Sequence, residues 1–369
     1  MTAYFIRRLL LMIPTFLGVT MIAFMITRFL PGGPLEQELM RFRMAQAESG
    51  GGGSSMTQAG GELPQEALDE LKKAFDLDKP APVAYKNWLT RMIFDLDMGN
   101  SYKTREKVWD AISARFPISI FFGLTGFVLA YGVSVPLGIA KAIRHSSRFD
   151  FISSALVFIG YSIPGWAMGA LLLVFFASGQ HLDWFPLGGF ESNSYDDLPS
   201  IVKKWEDIDD VSDDFGSFDR EKMSLVSKVV DRIQYSVLPV FCYMIGSFAT
   251  LTVLMKNSLM DNVGQDYVRT AFAKGLSPRR VIFYHALRNS LIPIATGLGH
   301  ALSVIMAGSY LIEKVFNIKG IGLLGFNAIV GYDYPLVMGI LSINIMLMLF
   351  GNILSDFLYA LIDPRVRFE

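Results

Sequence analysis

Six stretches of this chain are apolar over the length that a bilayer requires. They run over roughly residues 9–30, 116–140, 151–178, 235–255, 291–313 and 336–361, separated by polar and charged segments. A helix crossing the hydrocarbon core needs about 20 predominantly apolar residues. Inside lipid every backbone polar group must be satisfied within the segment, so each stretch is expected to be helical. The pattern predicts an all-α integral membrane protein with six spans. Arg28 at the end of the first is expected to snorkel to the interface. An even number of spans puts both termini on one side. Arg7 and Arg8, then Lys141, Arg144 and Arg148, then Lys256, Arg269, Lys274, Arg279, Arg280 and Arg288, and finally Arg365 and Arg367 mark that side as cytoplasmic.

The chain then divides into five blocks. Residues 1–30 form the N-terminus and first span, and 31–115 a long outer loop. Residues 116–178 hold spans two and three with the cytoplasmic connection between them. A second outer loop, 179–234, is acidic at Asp207, Asp209, Asp210, Asp213, Asp214 and Asp219, which suggests a solvated surface. Residues 235–369 contain the last three spans, a cytoplasmic loop at 256–290 and the tail. In the first loop, "ESGGGGSSMTQAGGELP" (48–64) has the composition of a flexible linker. The following "QEALDELKKAFDL" spaces Leu68, Leu71 and Phe75 as a small helical cap would. The first apolar run exceeds the about 7–15 residues of a signal-peptide core, and "PGGP" follows it, so a retained helix is expected.

Composition narrows the chemistry. Hydrophobic residues make up 52% of the chain and the net charge is −1, so nothing global points to nucleic acid. Cys242 is the single cysteine and cannot pair internally. The four histidines, at 145, 181, 285 and 300, are scattered, and no metal site is expected from them. Neither an H-E-x-x-H nor a G-x-S-x-G pattern occurs, so no catalytic role is expected. A G-x4-G-K-[ST] phosphate loop is also missing, so any ATP that drives this chain is bound elsewhere.

The most polar long stretch of the apolar second half is "YVRTAFAKGLSPRRVIFYHALRN", residues 267–289. Asp266 can cap a short helix, Gly275 reads as its stop, and Ser277 with Pro278 reads as the start of a second helix. A helix of about eight residues is well below the roughly 12–15 needed for marginal stability alone, so it must dock. Val268, Ala271 and Phe272 share a face flanked by Arg269 and Lys274. That apolar knob ringed by cations suits a groove with acidic edges on a partner protein, or anionic lipid beneath a basic amphipathic helix. Gly275 favours the protein, because a helix lying on lipid needs no defined stop and restart.

This segment resembles the EAA loop of binding-protein-dependent ABC import permeases, whose pattern is Glu-Ala-Ala, three residues, Gly, nine residues, then Ile-x-Leu-Pro. Arg269, Thr270 and Ala271 take the first places, Gly275 the glycine, and His285, Leu287 and Arg288 the last. The departures at Arg269, Thr270 and Arg288 match the variant of the oligopeptide and dipeptide branch. "SIPG", "WFPLGGF", "IEKVFNIKGIG", "DYPLV" and "DPRVRFE" agree with it, and "SRFD", "IGYSIP" and "NILSD" are similar to the Yej-type importers of oligopeptides and microcin C.

The resemblance implies a type I importer permease of the MetI-like fold in a bacterial inner membrane. It implies a second permease related by a pseudo-twofold axis, an ABC ATPase that binds Mg-ATP and is fused in the Yej branch, and a periplasmic peptide-binding protein met by the outer loops. Asp266, Val268, Arg269, Thr270, Ala271, Phe272, Lys274, Gly275, Ser277, His285 and Arg288 would then couple to the ATPase. Ser162, Pro164, Ser247, Asn257, Glu313, Asn344, Asn352 and Asp356 are candidates for the translocation path, satisfied polar contacts between helices being the other reading. A self-sufficient secondary transporter would instead place ionisable groups near the midplane and show internal repeats.

Overall fold

A computed structural model of the chain describes residues 2–29, 78–206, 218–297 and 308–362, with isolated positions between these stretches. The "PGGP" segment, the Gly/Ser segment, the helix expected over 65–77, five of the six loop acids named above, His300 and the C-terminal tail lie outside the described residues. Among the described residues the helices are α1 (Thr2–Phe29), α2 (Ala81–Phe94), α3 (Val108–Ser113), α4 (Phe116–Ile143), α5 (Arg148–Ser162), α6 (Gly165–Phe176), α7 (Leu225–Val263), α8 (Asp266–Ala273), α9 (Pro278–Arg280), α10 (Leu287–Ser290), α11 (Ile292–Thr296), α12 (Tyr310–Val315), α13 (Ile321–Val330) and α14 (Tyr334–Ile362). A π-helical turn at Val281–Ala286 joins α9 to α10.

Among the described residues four helical stretches are each long and apolar enough to cross a membrane: Tyr4–Phe29, Val108–Ile143, Leu225–Val263 and Tyr334–Phe357. Expected span three is a broken pair, α5 and α6, bent by 97°. Pro164 causes the break. It lacks the N–H that a continuing helix would use, and it pushes the preceding Ile163 to extended dihedrals of φ −102° and ψ 119°. Of expected span five, only the two ends and Ile305 fall among the described residues.

The described residues form two compact units. In the first, residues 115–324 and both chain ends, α4 lies along α7. Its buried positions Gly126, Ala130, Ser134 and Gly138 repeat every four residues as a stripe of small side chains. A Cβ on Gly126 would stand 2.7 Å from the Tyr243 Cβ, and one on Gly138 would stand 2.6 Å from the Met255 Cβ. The two backbones therefore approach as closely as side-chain-free contacts permit, which is how helices associate where lipid supplies no hydrophobic drive. Ser134 Oγ adds a hydrogen bond to the Phe248 carbonyl at 3.1 Å.

The outer loop expected to be a solvated acidic surface is folded where it is described. Leu198, Val202, Val211 and Met223 form a small core with Tyr195, Phe218 and Val230 around it. The sequence places the start of span four at 235, but α7 begins ten residues earlier. Asp231 on its first turns is fully buried, accepting from the Ser192 N–H (3.2 Å) and Arg220 Nη2 (3.0 Å). Arg220 Nη1 also pairs with Glu191 at 3.0 Å. The contact of the Arg220 guanidinium with the buried Asp231 carboxylate organises the described part of the loop.

Glu313 is also buried and works as a cap. Its Oε2 accepts the Leu323 N–H at 2.6 Å, and Oε1 accepts from the Tyr243 hydroxyl at 3.3 Å. Ser119 Oγ takes the Ile321 N–H at 2.8 Å. Together they satisfy the first amides of α13, which no helix can satisfy internally. Gly320 is required because a Cβ there would lie 2.5 Å from the Glu313 carboxyl.

The second unit comprises residues 6–114 and 325–346. Trp88, Met92 and Met338 form its core against Phe16, Phe24, Tyr85 and Leu89. The Tyr85 hydroxyl lies 2.9 Å from Thr20 Oγ1 and donates to the Leu17 carbonyl at 3.1 Å. Asp333, buried at the start of α14, accepts the Tyr102 N–H at 3.0 Å and the Ser101 hydroxyl.

Two measurements test this account. Glu313→Ala leaves the Leu323 amide buried and unpaired, at a cost of about 1–3 kcal/mol, and Gly320→Ala forces the carboxyl aside. Both variants are expected to lower Tm of the purified protein, and an unchanged Tm for either would remove the capping role. In the outer loop, the Ser227 hydroxyl's hydrogen bond, reinforced by Ser224, outweighs burial and holds the Glu206 carboxyl below its ordinary 4.5. A depressed folded pKa stabilises fully above the unfolded value, and that stability is lost as pH falls through the folded one. Hydrogen exchange at residues 198–206, corrected for its intrinsic rate, should therefore accelerate only below pH 4.5.

Candidate functional site

The loop after α7 has the stop and restart that its punctuation predicts. α7 ends at Val263, Gly264 and Gln265 turn the chain, and α8 runs eight residues from Asp266 to Ala273. Gln265, with φ −77° and ψ 153°, occupies the N-cap position. Asp266 is the first helical residue and not the cap. Its carboxylate helps there by complementing the helix dipole, and its 3.4 Å pair with Arg269 is exposed and weak.

The C-terminus closes as a Schellman motif. The Gly275 N–H donates to the Phe272 carbonyl at 2.9 Å, and the Leu276 N–H donates to the Ala271 carbonyl at 3.4 Å. Gly275 has φ +77°, the left-handed conformation that side chains disfavour. Ser277 is the next N-cap by backbone geometry, its side chain making no capping bond, and Pro278 takes the first helical position.

The apolar face of α8 does not form an outward knob. Val268 and Ala271 are buried with Met255, Leu259, Val281, Ala286 and Ile294 of the same chain. Too short to stand alone, the helix docks on the nearest apolar surface, which its own chain provides. The periodicity locates the apolar face correctly but cannot say what covers it. α8 and its C-cap present Asp266, Tyr267, Arg269, Thr270, Phe272 and Lys274 to solvent, an aromatic pair among polar, basic and acidic groups. His285 in the π turn and Arg288 on α10 are exposed as well.

A second feature escapes a reading of the sequence. Asp150, buried on the first turn of α5, meets Lys141 of α4 at 3.1 Å and Lys256 of α7 at 2.8 Å. It also takes the Ser146 N–H at 3.2 Å and lies 3.4 Å from His145 Nδ1. Lys141, almost wholly buried, donates further to the Asp150 carbonyl (3.0 Å), Ser153 Oγ (2.8 Å) and Ser154 Oγ (2.7 Å). One carboxylate thus ties three helices together, the last of them seven residues before α7 ends. Two cations that read as topology markers are ion-pair partners of Asp150, Lys141 buried and Lys256 partly so. The available signal was "SRFD", a Ser-x-x-Asp helix start, in which the Ser147 hydroxyl accepts the Asp150 N–H at 3.2 Å.

The proposed path residues fall in both units. Ser162, Pro164, Ser247 and Asn257 are exposed in the first unit. Asn257 lines a 790 Å³ cavity with Lys141, Tyr161, Thr250 and apolar residues of α5 and α7. The Ser162 hydroxyl is returned to the Phe158 carbonyl at 2.9 Å. Glu313 is the α13 cap. Asn352 and Asp356 are half-buried in the first unit, where Asp356 accepts from the Tyr4 hydroxyl at 3.3 Å. Asn344 belongs to the second unit. Among the described residues no group of three or more His, Cys, Asp or Glu could hold a metal.

Residues 134–368, which include α5 to α14 and the loop just described, match the family "binding-protein-dependent transport system inner membrane component". The chain belongs to this family. Relatives align along its whole length. A protein named inner membrane ABC transporter permease protein YejB, from Escherichia coli O157:H7, is 37% identical over 100% of both chains. Peptidoglycan transport system permease protein YejB, from Agrobacterium fabrum, is 36% identical over 100% of this chain and 99% of its own. Oligopeptide transport system permease protein AppB, from Bacillus subtilis, is 31% identical over 100% of both. This permease is therefore the inner-membrane component of a transport system that works with a binding protein.

Removing the charge of Asp150 tests the ion-pair knot. Breaking a buried pair by deleting one partner costs about 3–5 kcal/mol. Asp150→Asn, which strands two ammonium groups, is expected to lower Tm of the purified permease more than Lys256→Met, which leaves Asp150 paired with Lys141. The reverse order would show that the knot is not organised around Asp150.

Proposed function

We propose that this chain is one of two permease subunits of an ABC importer that carries oligopeptides from periplasm to cytoplasm. The observation that carries the reading is α8. It is a short helix stopped by Gly275, anchored through Val268 and Ala271, with Phe272 and Tyr267 turned outward among Arg269, Thr270 and Lys274. A rigid, partly aromatic protrusion of this kind fits an apolar cleft on an ATPase with acidic edges. ATP-driven closure of the ATPase would displace α8 and rock the spans between inward-open and outward-open states.

The peptide substrate is supported by the relatives' names, which include oligopeptide, dipeptide and di/tripeptide permeases. The peptidoglycan name in Agrobacterium extends the class to peptide-bearing wall fragments. Peptide-carried antibiotics of the microcin C kind fall within the same class. In this reading both termini are cytoplasmic, the outer loops receive the binding protein, a second permease completes a pseudo-twofold heterodimer, and a fused double ATPase domain binds Mg-ATP.

Phe272→Asp places a carboxylate at the centre of the protruding face without touching the buried one. It is expected to leave the amount of permease in the membrane unchanged and to lower peptide uptake at least about tenfold, the equivalent of 1.4 kcal/mol. Normal uptake by this variant would sink the coupling role. Mass spectrometry of proteins retained by the wild-type chain in mild detergent should identify a second permease and an ABC ATPase.

A further inference from the structure

The groove between α5 and α7 has a polar lining that the fold itself does not use. Phe151, Ser154, Phe158 and Tyr161 recur at helical spacing on one face of α5, and Thr250 and Asn257 on one face of α7, around the 790 Å³ cavity. All six are exposed, and Ser247 extends the α7 face by one turn. Hydroxyls inside an apolar helix commonly return to a carbonyl of the preceding turn. Thr252 does so to Phe248 at 2.7 Å, and Ser162 to Phe158 at 2.9 Å. Ser247 and Thr250 do not. Among the described residues these two hydroxyls, the Tyr161 hydroxyl and the Asn257 side-chain amide have no hydrogen-bond partner. Lys141, the cation on the lining, is already bound to Asp150, Ser153 and Ser154. The groove therefore offers aromatic surface beside neutral donors and acceptors.

That chemistry selects among the possible occupants. Acyl chains present nothing to the Thr250 hydroxyl or the Asn257 amide, and a polar group left unpaired in hydrocarbon is costly. A helix from a neighbouring subunit has its own backbone groups paired internally. An extended peptide instead brings one N–H and one C=O per residue, and a side-chain amide such as that of Asn257 can serve both. The cavity volume is that of a site for a small organic molecule. We propose that this groove binds the main chain of the transported peptide as it crosses the membrane. Asn257, Thr250 and the Tyr161 hydroxyl pair with its peptide groups, and its apolar side chains rest on Phe151 and Phe158. These contacts go to groups that every peptide shares, so the site recognises an extended chain and not a sequence. The inference rests on the peptide-import reading and gives the substrate a place within it.

The test puts the photoreactive residue p-benzoylphenylalanine at position 161 in cells that express the whole transporter and are supplied with radiolabelled penta-alanine. Tyr161 is 61% exposed, so the larger ring has room. Irradiation is expected to join the label to this chain, and excess unlabelled penta-alanine, but not free alanine, to suppress the adduct. A cross-link to another polypeptide or to lipid in place of the peptide would overturn the site. Uptake of the same label by wild-type cells, compared with cells lacking the chain, judges the import reading separately. Uptake without the adduct overturns the site alone, and absence of uptake overturns the reading and the site with it. Thr250→Val keeps the shape and removes the hydroxyl. It is expected to lower uptake per transporter about fivefold, as loss of one neutral hydrogen bond does, while Thr250→Ser retains it. Undiminished uptake by Thr250→Val would remove Thr250 from the site.

Discussion

The close approach of α4 and α7 is the constraint on which the first unit depends. Lipid is as apolar as any side chain, so the two helices gain little by hiding hydrophobic surface from it. What holds them is contact made possible by Gly126, Ala130, Ser134 and Gly138, where a larger side chain would meet Tyr243, Met255 or the Thr252 carbonyl. Once α7 is fixed, the rest is placed against it. α6 rests Gly165 against the Cys242 carbonyl, α8 packs on Met255 and Leu259, and α12 joins the cluster around Leu238 and Val240.

Buried carboxylates then fasten the loops to this scaffold. Asp231 organises the outer loop, Asp150 gathers α4, α5 and α7, and Glu313 caps α13. Each is fully engaged by amides, hydroxyls or cations, as a charge removed from water must be. Among the described residues these three carboxylates are bound into hydrogen-bond and ion-pair sets that join neighbouring elements.

Much of this was legible in the sequence, and the failures have physical reasons. Gly275 and Pro278 announce the turn because few residues tolerate their backbone conformations. Pro164 announces a break, but its right angle depends on what α6 packs against. Val268 and Ala271 were readable as an apolar face while their partner was not, since periodicity records orientation on a helix and nothing about its neighbour. α7 outran its predicted span at both ends because hydropathy falls at Asp231 and Lys256 although the backbone continues. α2 was missed because Ala84, Trp88 and Met92 form a stripe too narrow to stand out from a polar loop.

One consequence of α7 has to do with distance. Its 39 residues, at 1.5 Å each, reach about 58 Å, nearly twice the hydrocarbon thickness. The helix carries Asp231 and the folded outer loop at one end, and Lys256 and the docked α8 at the other. Pro239 is the single proline in its length. A binding protein seated on the outer loop and an ATPase gripping α8 would therefore hold opposite ends of one rod. On the proposed reading, a shift of either partner would reach the other through this one helix, without a relay of side chains between them.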